Sequence, residues 1–176
     1  MTIAMTKGYS EQTAGAKLCI DLASDWAKEC ICDLNINESV FLMDYGAADG
    51  GTASEFWGKI INEIKAKNES SEITLIGNDL ISNDNQSLIN NLSIQSLDNK
   101  LVKTLLCAGS FYDQLVPTGF IDFGFSATAM HWLNKKVETL NDHTHVLASS
   151  NQNARIDFLK QALFDWNQIL EIRSKE

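Results

Sequence analysis

Apolar residues along this chain fall into two kinds of pattern. Four short runs are nearly continuously apolar: Val40–Gly46 (VFLMDYG), Glu72–Asp79 (EITLIGND), Lys103–Ser110 (KTLLCAGS) and Phe120–Thr128 (FIDFGFSAT). Runs of this length bounded by turn residues predict strands buried on both faces, as in a parallel sheet. Elsewhere the apolar positions recur every three or four residues, the helical period. Phe56, Ile60, Ile61 and Ile64 make one such stripe, with Thr52 or Ser54 placed to cap its start. Ser82–Leu92 predicts a shorter helix opened by Ser82. Leu18, Leu22, Trp26 and Ile31 predict a helix ahead of the first strand. The clearest stripe is the last: Ile156, Leu159, Leu163, Trp166 and Leu170, with Lys and Arg gathered near its end, where the helix dipole favours them.

Strands alternating with helices predict an α/β fold, a doubly wound and mostly parallel sheet with right-handed crossovers. At 176 residues and 44% hydrophobic, the chain can bury one sizeable core, so residues 1–176 read as a single domain. The pattern stops on a helix after the fourth strand. The sheet is therefore expected to be truncated there, with the chain forming the first half of a larger domain. A half-sheet leaves an edge open, which is compatible with pairing of two copies into a homodimer or with instability of the lone chain.

Charge narrows the partners. A net charge of −9 and a pI near 4.7 repel a nucleic-acid backbone and an anionic membrane surface. No apolar run reaches membrane-spanning length, and Met1 to Lys7 lacks the apolar core of a signal peptide, which points to a cytoplasmic setting. Of the cysteines, Cys30 and Cys32 stand too close for a zinc knuckle and no second Cys or His pair follows, so no metal is expected; Cys107 reads as a small buried hydrophobe.

Candidate chemistry sits where the predicted strands end. After the first comes Asp44-Tyr45-Gly46-Ala47-Ala48-Asp49-Gly50-Gly51-Thr52, small residues that let a ligand approach the backbone, ahead of a helix start with N–H groups to offer. The spacing is not the G-x-G-x-x-G of dinucleotide enzymes. Asp79 ends the second run, where an acid accepts from both ribose hydroxyls of NAD or of S-adenosylmethionine alike. Ser110 and Phe111 end the third, a hydroxyl beside an aromatic ring suited to adenine; a plain core phenylalanine fits the same position. His131-Trp132 follows the fourth, and a lone pair of this kind is more readily a core histidine beside a core tryptophan than a site.

The order of these pieces resembles the SABATH carboxyl methyltransferases, the plant salicylate, benzoate and jasmonate methyltransferases and their xanthine-methylating relatives. The resemblance is carried by "MTKGYSEQT", "DYGAADGGT", "GNDLISND", "GSFYDQLVP" and "SATAMHWL", in family order over nearly the whole chain. It implies a Rossmann-like methyltransferase fold with a helical cap, and S-adenosylmethionine as cofactor. It places Tyr9 and Thr13 near the methionine part of that cofactor, and Asp44, Gly46, Ala47 and Thr52 on the first loop. Asp79 and Leu80 fall at the ribose, Ser110 and Phe111 at the adenine. His131 and Trp132 match the pair that holds a substrate carboxylate, and Thr128 replaces a tyrosine in that pocket. The family's substrate-binding glutamine is Ala16 here; Lys17 or Lys7 is the neighbouring cation able to pair with a carboxylate. The last strands and the cap of known members lie beyond this chain's span.

By that resemblance the reaction is O-methylation of a small-molecule carboxylic acid. A carboxylate is already nucleophilic at neutral pH, so no catalytic base is expected; alignment and exclusion of water do the work. Two rivals stand beside it: a truncated, non-catalytic cofactor-binding or interaction module, and an NAD(P)-dependent oxidoreductase on a similar sheet.

Overall fold

In the computed structural model, which describes residues 8–97, 100–137 and 140–176, four parallel strands form one sheet in the order β3-β2-β1-β4. They are β1 (Ser39–Tyr45), β2 (Glu72–Asp79), β3 (Val102–Ala108) and β4 (Phe123–Phe125). Each lies within or beside one of the apolar runs, and β2 coincides with its run. The parallel registers set Asp44 opposite Gly77 and Phe125, and Asp79 opposite Ala108. All four C-terminal ends therefore open on the same side of the sheet, where α/β sheets place their ligands.

The helices are α1 (Tyr9–Gln12), α2 (Ala14–Asp33), α3 (Ser54–Lys67), α4 (Asn85–Leu97) and α5 (Gln152–Arg173), with a 3-10 turn at Val146–Ala148. The predicted Phe56, Ile60, Ile61 and Ile64 stripe of α3 is buried, together with Trp57, against Val40, Leu42, Ile73 and Leu75 of the sheet. Phe56 stacks on Phe125 at 4.1 Å, and Trp57 meets Phe123 edge-on at 6.2 Å, which fixes the short strand β4 against β1. On the opposite face Met43, Tyr45 and Ile76 form a smaller cluster with Phe111, Leu115, Phe120 and Met130. The chain thus covers both faces, one with helices and the other mainly with the connection before β4 and the end of α5.

Several local expectations change in detail. Neither Thr52 nor Ser54 caps α3: its N-cap is Ala53, and the Ser54 hydroxyl donates to the Asn91 carbonyl. Asp84, not Ser82, opens α4, accepting from the amide and hydroxyl of Ser87. The periodic residues Leu18, Leu22 and Trp26 of α2 face outward, while Ile20, Ser24, Ala27 and Ile31 are its buried positions. The same holds for α5, whose stripe from Ile156 to Leu170 is 49–60% exposed. Its buried residues are Ala154, Asp165 and Ile169. Cys107 is half-buried, not fully buried. No helix among the described residues is long and apolar enough to cross a membrane, and no His, Cys, Asp and Glu cluster there could hold a metal ion. Lys7 lies outside the described residues.

Candidate functional site

A cavity of about 590 Å³ opens over the C-terminal ends of the strands. Its floor is the loop after β1. Asp44 is buried beneath it, accepting from the Trp57 indole N–H at 2.8 Å. Burial pushes its carboxyl up to about 7, against the pull of the Trp57 hydrogen bond, and the nearby Asp79 charge adds to the rise. Gly46 sits at φ 72°, and a Cβ there would come within 2.4 Å of the Ala129 methyl group, so only glycine lets the two loops meet. Ala48 and Thr128 also take positive φ, 52° and 54°. For a β-branched threonine that backbone is strained, and Thr128 faces the cavity.

The amides of the β1 loop are largely spent within the protein. Gly46 and Ala47 donate to the Asn78 carbonyl, Ala48 to Asp79, Gly50 to the Ala47 carbonyl, and Gly51 to Asp49. These are the amides of the loop ahead of the helix; at the α3 start the Ser54 amide donates to the Gly51 carbonyl at 3.3 Å. The loop presents a small-residue surface with side-chain polar groups around it. The Thr52 hydroxyl is one of these, buried at the cavity without a hydrogen-bond partner.

Asp79 accepts from Ala48 N–H and Leu80 N–H, both at 2.7 Å, and partial burial raises its carboxyl above the ordinary range. Asn78, just before it, ties three segments together. Its carbonyl takes the Gly46 and Ala47 amides, and its side-chain amide donates to the carbonyls of Cys107 and Gly109. The turn after β3 therefore stands at a fixed height beside the β1 loop. That turn carries Ser110, Phe111, Tyr112 and Asp113, all cavity-lining, and the Phe111 ring approaches Gly46. The far wall is Ala127 to Ala129 with Trp132, Leu133, Asn134 and Lys136.

The structure brings together Tyr9, Asp44, Gly46, Ala47, Thr52, Asp79, Leu80, Ser110, Phe111, Thr128 and Trp132 around this one cavity. It does not bring Thr13, His131 or Lys17 to the lining. Thr13 donates to the Tyr9 carbonyl between α1 and α2. His131 is exposed, its ring 5.2 Å from that of Trp132. Lys17 pairs with Glu55 at 2.8 Å and Asp21 at 3.5 Å on the outer surface of α2 and α3. Residues not singled out from sequence include Ile20, Tyr112, Asp113, Asn134 and Lys136. Tyr112 and Asp113 stood within reach as neighbours of Phe111, whereas Ile20 and Lys136 come from segments whose paths no local pattern reveals. The lining carries three carboxylates, Asp44, Asp79 and Asp113, and Lys136 as its single lysine or arginine among the described residues.

A family model described as SAM dependent carboxyl methyltransferase matches residues 5–176. Among curated proteins the chain is 27% identical over 152 residues to a probable 7-methylxanthine methyltransferase 5 of Theobroma cacao, covering 78% of this chain and 42% of that protein. It is 25% identical over 162 residues to a salicylate/benzoate carboxyl methyltransferase of Arabidopsis thaliana, covering 85% of this chain and 43% of that protein. Among solved structures it superposes on a loganic acid methyltransferase with SAH at a TM-score of 0.80 and 21% identity, covering 99% of this chain and 55% of that one. That likeness shows the Rossmann-like methyltransferase fold. The chain spans less than half the length of both curated relatives.

Proposed function

Because the chain belongs to the SAM-dependent carboxyl methyltransferase family, we propose that its cavity binds S-adenosylmethionine and serves methyl transfer to the carboxylate of a small-molecule acid. The observation that carries this reading is the electrostatics of the floor. The β1 loop spends most of its amides internally, and the cavity lining adds the acids Asp44 and Asp113 to Asp79, the ribose-type acid that either cofactor would use. A pyrophosphate needs donors and repels acids; a sulfonium with an ammonium group is suited by the reverse. That difference disfavours NAD(P).

In this reading Asp44, Thr52 and Tyr9 hold the amino-acid end, the Thr52 hydroxyl gaining the partner it lacks. Asp79 and Leu80 hold the ribose, and Ser110 and Phe111 the adenine. Gly46 and Ala47 supply the small surface against which the ligand lies. When bound, the cofactor supplies a methyl group on a positively charged sulfur. The chain's own residues bind and orient the acceptor and keep water out. Trp132 donates its indole N–H to the acceptor carboxylate, Thr128 shapes the pocket beside it, and Lys136 supplies the counter-charge. His131, beside Trp132, and Lys17, paired with Glu55, lie outside the lining and are given no role here. Calorimetry with S-adenosylhomocysteine and NAD side by side tests the reading: the first is expected to bind and the second not. NAD binding alone overturns it.

The non-catalytic rival makes a different prediction for turnover, and the chain spans less than half of the relatives' length. We propose accordingly that the chain is the N-terminal portion of a single methyltransferase domain. A methyl-transfer assay against small aromatic and aliphatic acids separates the two, since cofactor binding without turnover selects the binding module. The four cysteines are free thiols, which suits a reducing, cytoplasmic setting. Self-association belongs to the same proposal. The exposed stripe of α5 allows antiparallel pairing about Leu163, which sets Ile156 against Leu170 and Arg155 against Glu171 of a second copy.

A further inference from the structure

Helix α5 lines none of the cavity, yet its side chains reach both walls. Arg173 donates from its two terminal nitrogens to the carbonyls of Phe111 and Asp113, each at 2.8 Å. Gln168 donates to the carbonyl between them, that of Tyr112, at 3.0 Å. Three successive carbonyls of the turn after β3 are thus held from one helix. Arg173 is itself held. Its guanidinium lies 4.3 Å over the Tyr45 ring, and its Nε is 2.9 Å from the Glu176 carboxylate, paired by charge although the N–H is not aimed for a hydrogen bond. Glu176 is buried, accepting from the Tyr45 hydroxyl and the amides of Leu115 and Val116. One and two turns back, the buried Asp165 accepts from the Asn134 amide at 2.9 Å and from Gln161 at 2.7 Å. The Tyr112 hydroxyl beside it donates to the Trp132 carbonyl at 2.7 Å, linking one wall to the other.

We infer that α5 is the brace that sets the two walls of the cavity: Arg173, with Gln168, is a positioning residue for the Ser110–Phe111 wall, and Asp165 is a positioning residue for the Trp132–Asn134 wall. The assignment of one wall to cofactor and the other to acceptor rests on the reading of the cavity given above. The arginine fork suits its task because a planar guanidinium meets two carbonyls at once in a fixed geometry, which an ammonium cannot do. A buried carboxylate suits the other, since an amide hydrogen bond to a charged acceptor is stronger than one to a neutral group. The two arms lie on separate parts of the helix, joined only where the Tyr112 hydroxyl meets the Trp132 carbonyl, and each should fail mainly on its own wall.

The test uses the full chain, with calorimetry for S-adenosylhomocysteine and residue-resolved hydrogen exchange without ligand. Arg173→Ala is expected to weaken S-adenosylhomocysteine about tenfold, the equivalent of one lost net hydrogen bond. Arg173→Lys keeps the charge and is expected to stay at least about threefold weaker than the parent, for want of the fork. Asp165→Ala is expected to leave that affinity within about twofold while speeding exchange of the Asn134 amide about tenfold. Asp165→Asn, which keeps an acceptor oxygen, is expected to restore slow exchange. Where turnover is measurable, Asp165→Ala raises the acceptor KM and not the cofactor KM. Parental affinity in Arg173→Ala, or parallel equal losses in both alanine variants, overturns the inference. Should Arg173→Ala fail to fold, Arg173→Lys and Gln168→Ala carry the same comparison. If the parent protein binds no S-adenosylhomocysteine, the functional reading falls and the brace is judged by exchange alone. Arg173→Lys must then speed the Tyr112 and Asp113 amides, and unchanged rates sink it.

Discussion

Asp44 shows how one residue couples stability to the site. Its carboxyl is held at about 7 chiefly by burial, against an ordinary value of 3.8. Between those values the folded protein keeps a proton that the unfolded chain has released. The contribution to stability is therefore full below pH 3.8 and is lost as pH rises through about 7. Thermal unfolding without ligand should show a Tm that declines from pH 5.5 to 8, with Asp44→Asn flattening the decline; equal slopes would remove Asp44 as its cause. Under the proposed function, affinity for S-adenosylhomocysteine rises over the same interval, because the ionised acid is the form that pairs with an ammonium. Gly46 makes a second residue-scale case. Gly46→Ala must resolve a 2.4 Å approach to Ala129 at a φ of 72°, and should cost about 1–3 kcal/mol in urea denaturation. Asp44, Gly46 and Asp79 were all legible in the sequence, since an acid or a glycine at a strand end has few local reasons to be there. Lys136 was not, because a lysine after a predicted strand is ordinarily solvated surface. Lys136→Ala should raise the acceptor Kd severalfold and leave S-adenosylhomocysteine binding unchanged; loss of both would make it a general electrostatic residue.

Elements were legible by period but not by face. α3 buries the stripe its sequence announces, because β1 and β2 supply apolar surface directly under Phe56, Ile60 and Ile64. In α2 Leu18, Leu22 and Trp26 point outward while Ile20, Ser24, Ala27 and Ile31 are buried; in α5 the stripe from Ile156 to Leu170 points outward while Ala154, Asp165 and Ile169 are buried. A helical period states that a face exists; which face is covered depends on what lies beside it. Stability measurements should make the distinction. Ile169→Ala, at a residue 1% exposed, is expected to cost about 2–4 kcal/mol. Leu163→Gln, at a residue 55% exposed, should change stability by less than about 0.5 kcal/mol when measured at a dilution where the chain is monomeric. The reverse order would mean that the α5 stripe, not Ile169, is packed within the single chain. β3 makes the same point at the sheet edge, where Leu105 remains half exposed although its run reads as fully buried.

For the molecule as a whole, two expectations follow from proposals made above. A ligand that binds only the folded chain raises Tm by mass action. S-adenosylhomocysteine at about a hundredfold over its Kd should stabilise by about 2.7 kcal/mol, and no shift at saturating ligand would contradict the proposed site. Pairing through α5 should appear in sedimentation velocity as a concentration-dependent shift that Leu163→Glu abolishes, and a monomer at every concentration would end that reading. The sequence by itself determined the strand order along the chain, the parallel α/β class and the polar residues at the strand ends. Those depend on local period, on turn residues and on the few chemistries that fit a strand terminus. Tertiary structure alone decided which helix faces are covered, that the β1 loop spends most of its amides internally, and that α5 holds both cavity walls. Each is a contact between residues far apart in the chain, Arg173 with Phe111 or Gly46 with Ala129. Such a contact leaves no period or spacing to read.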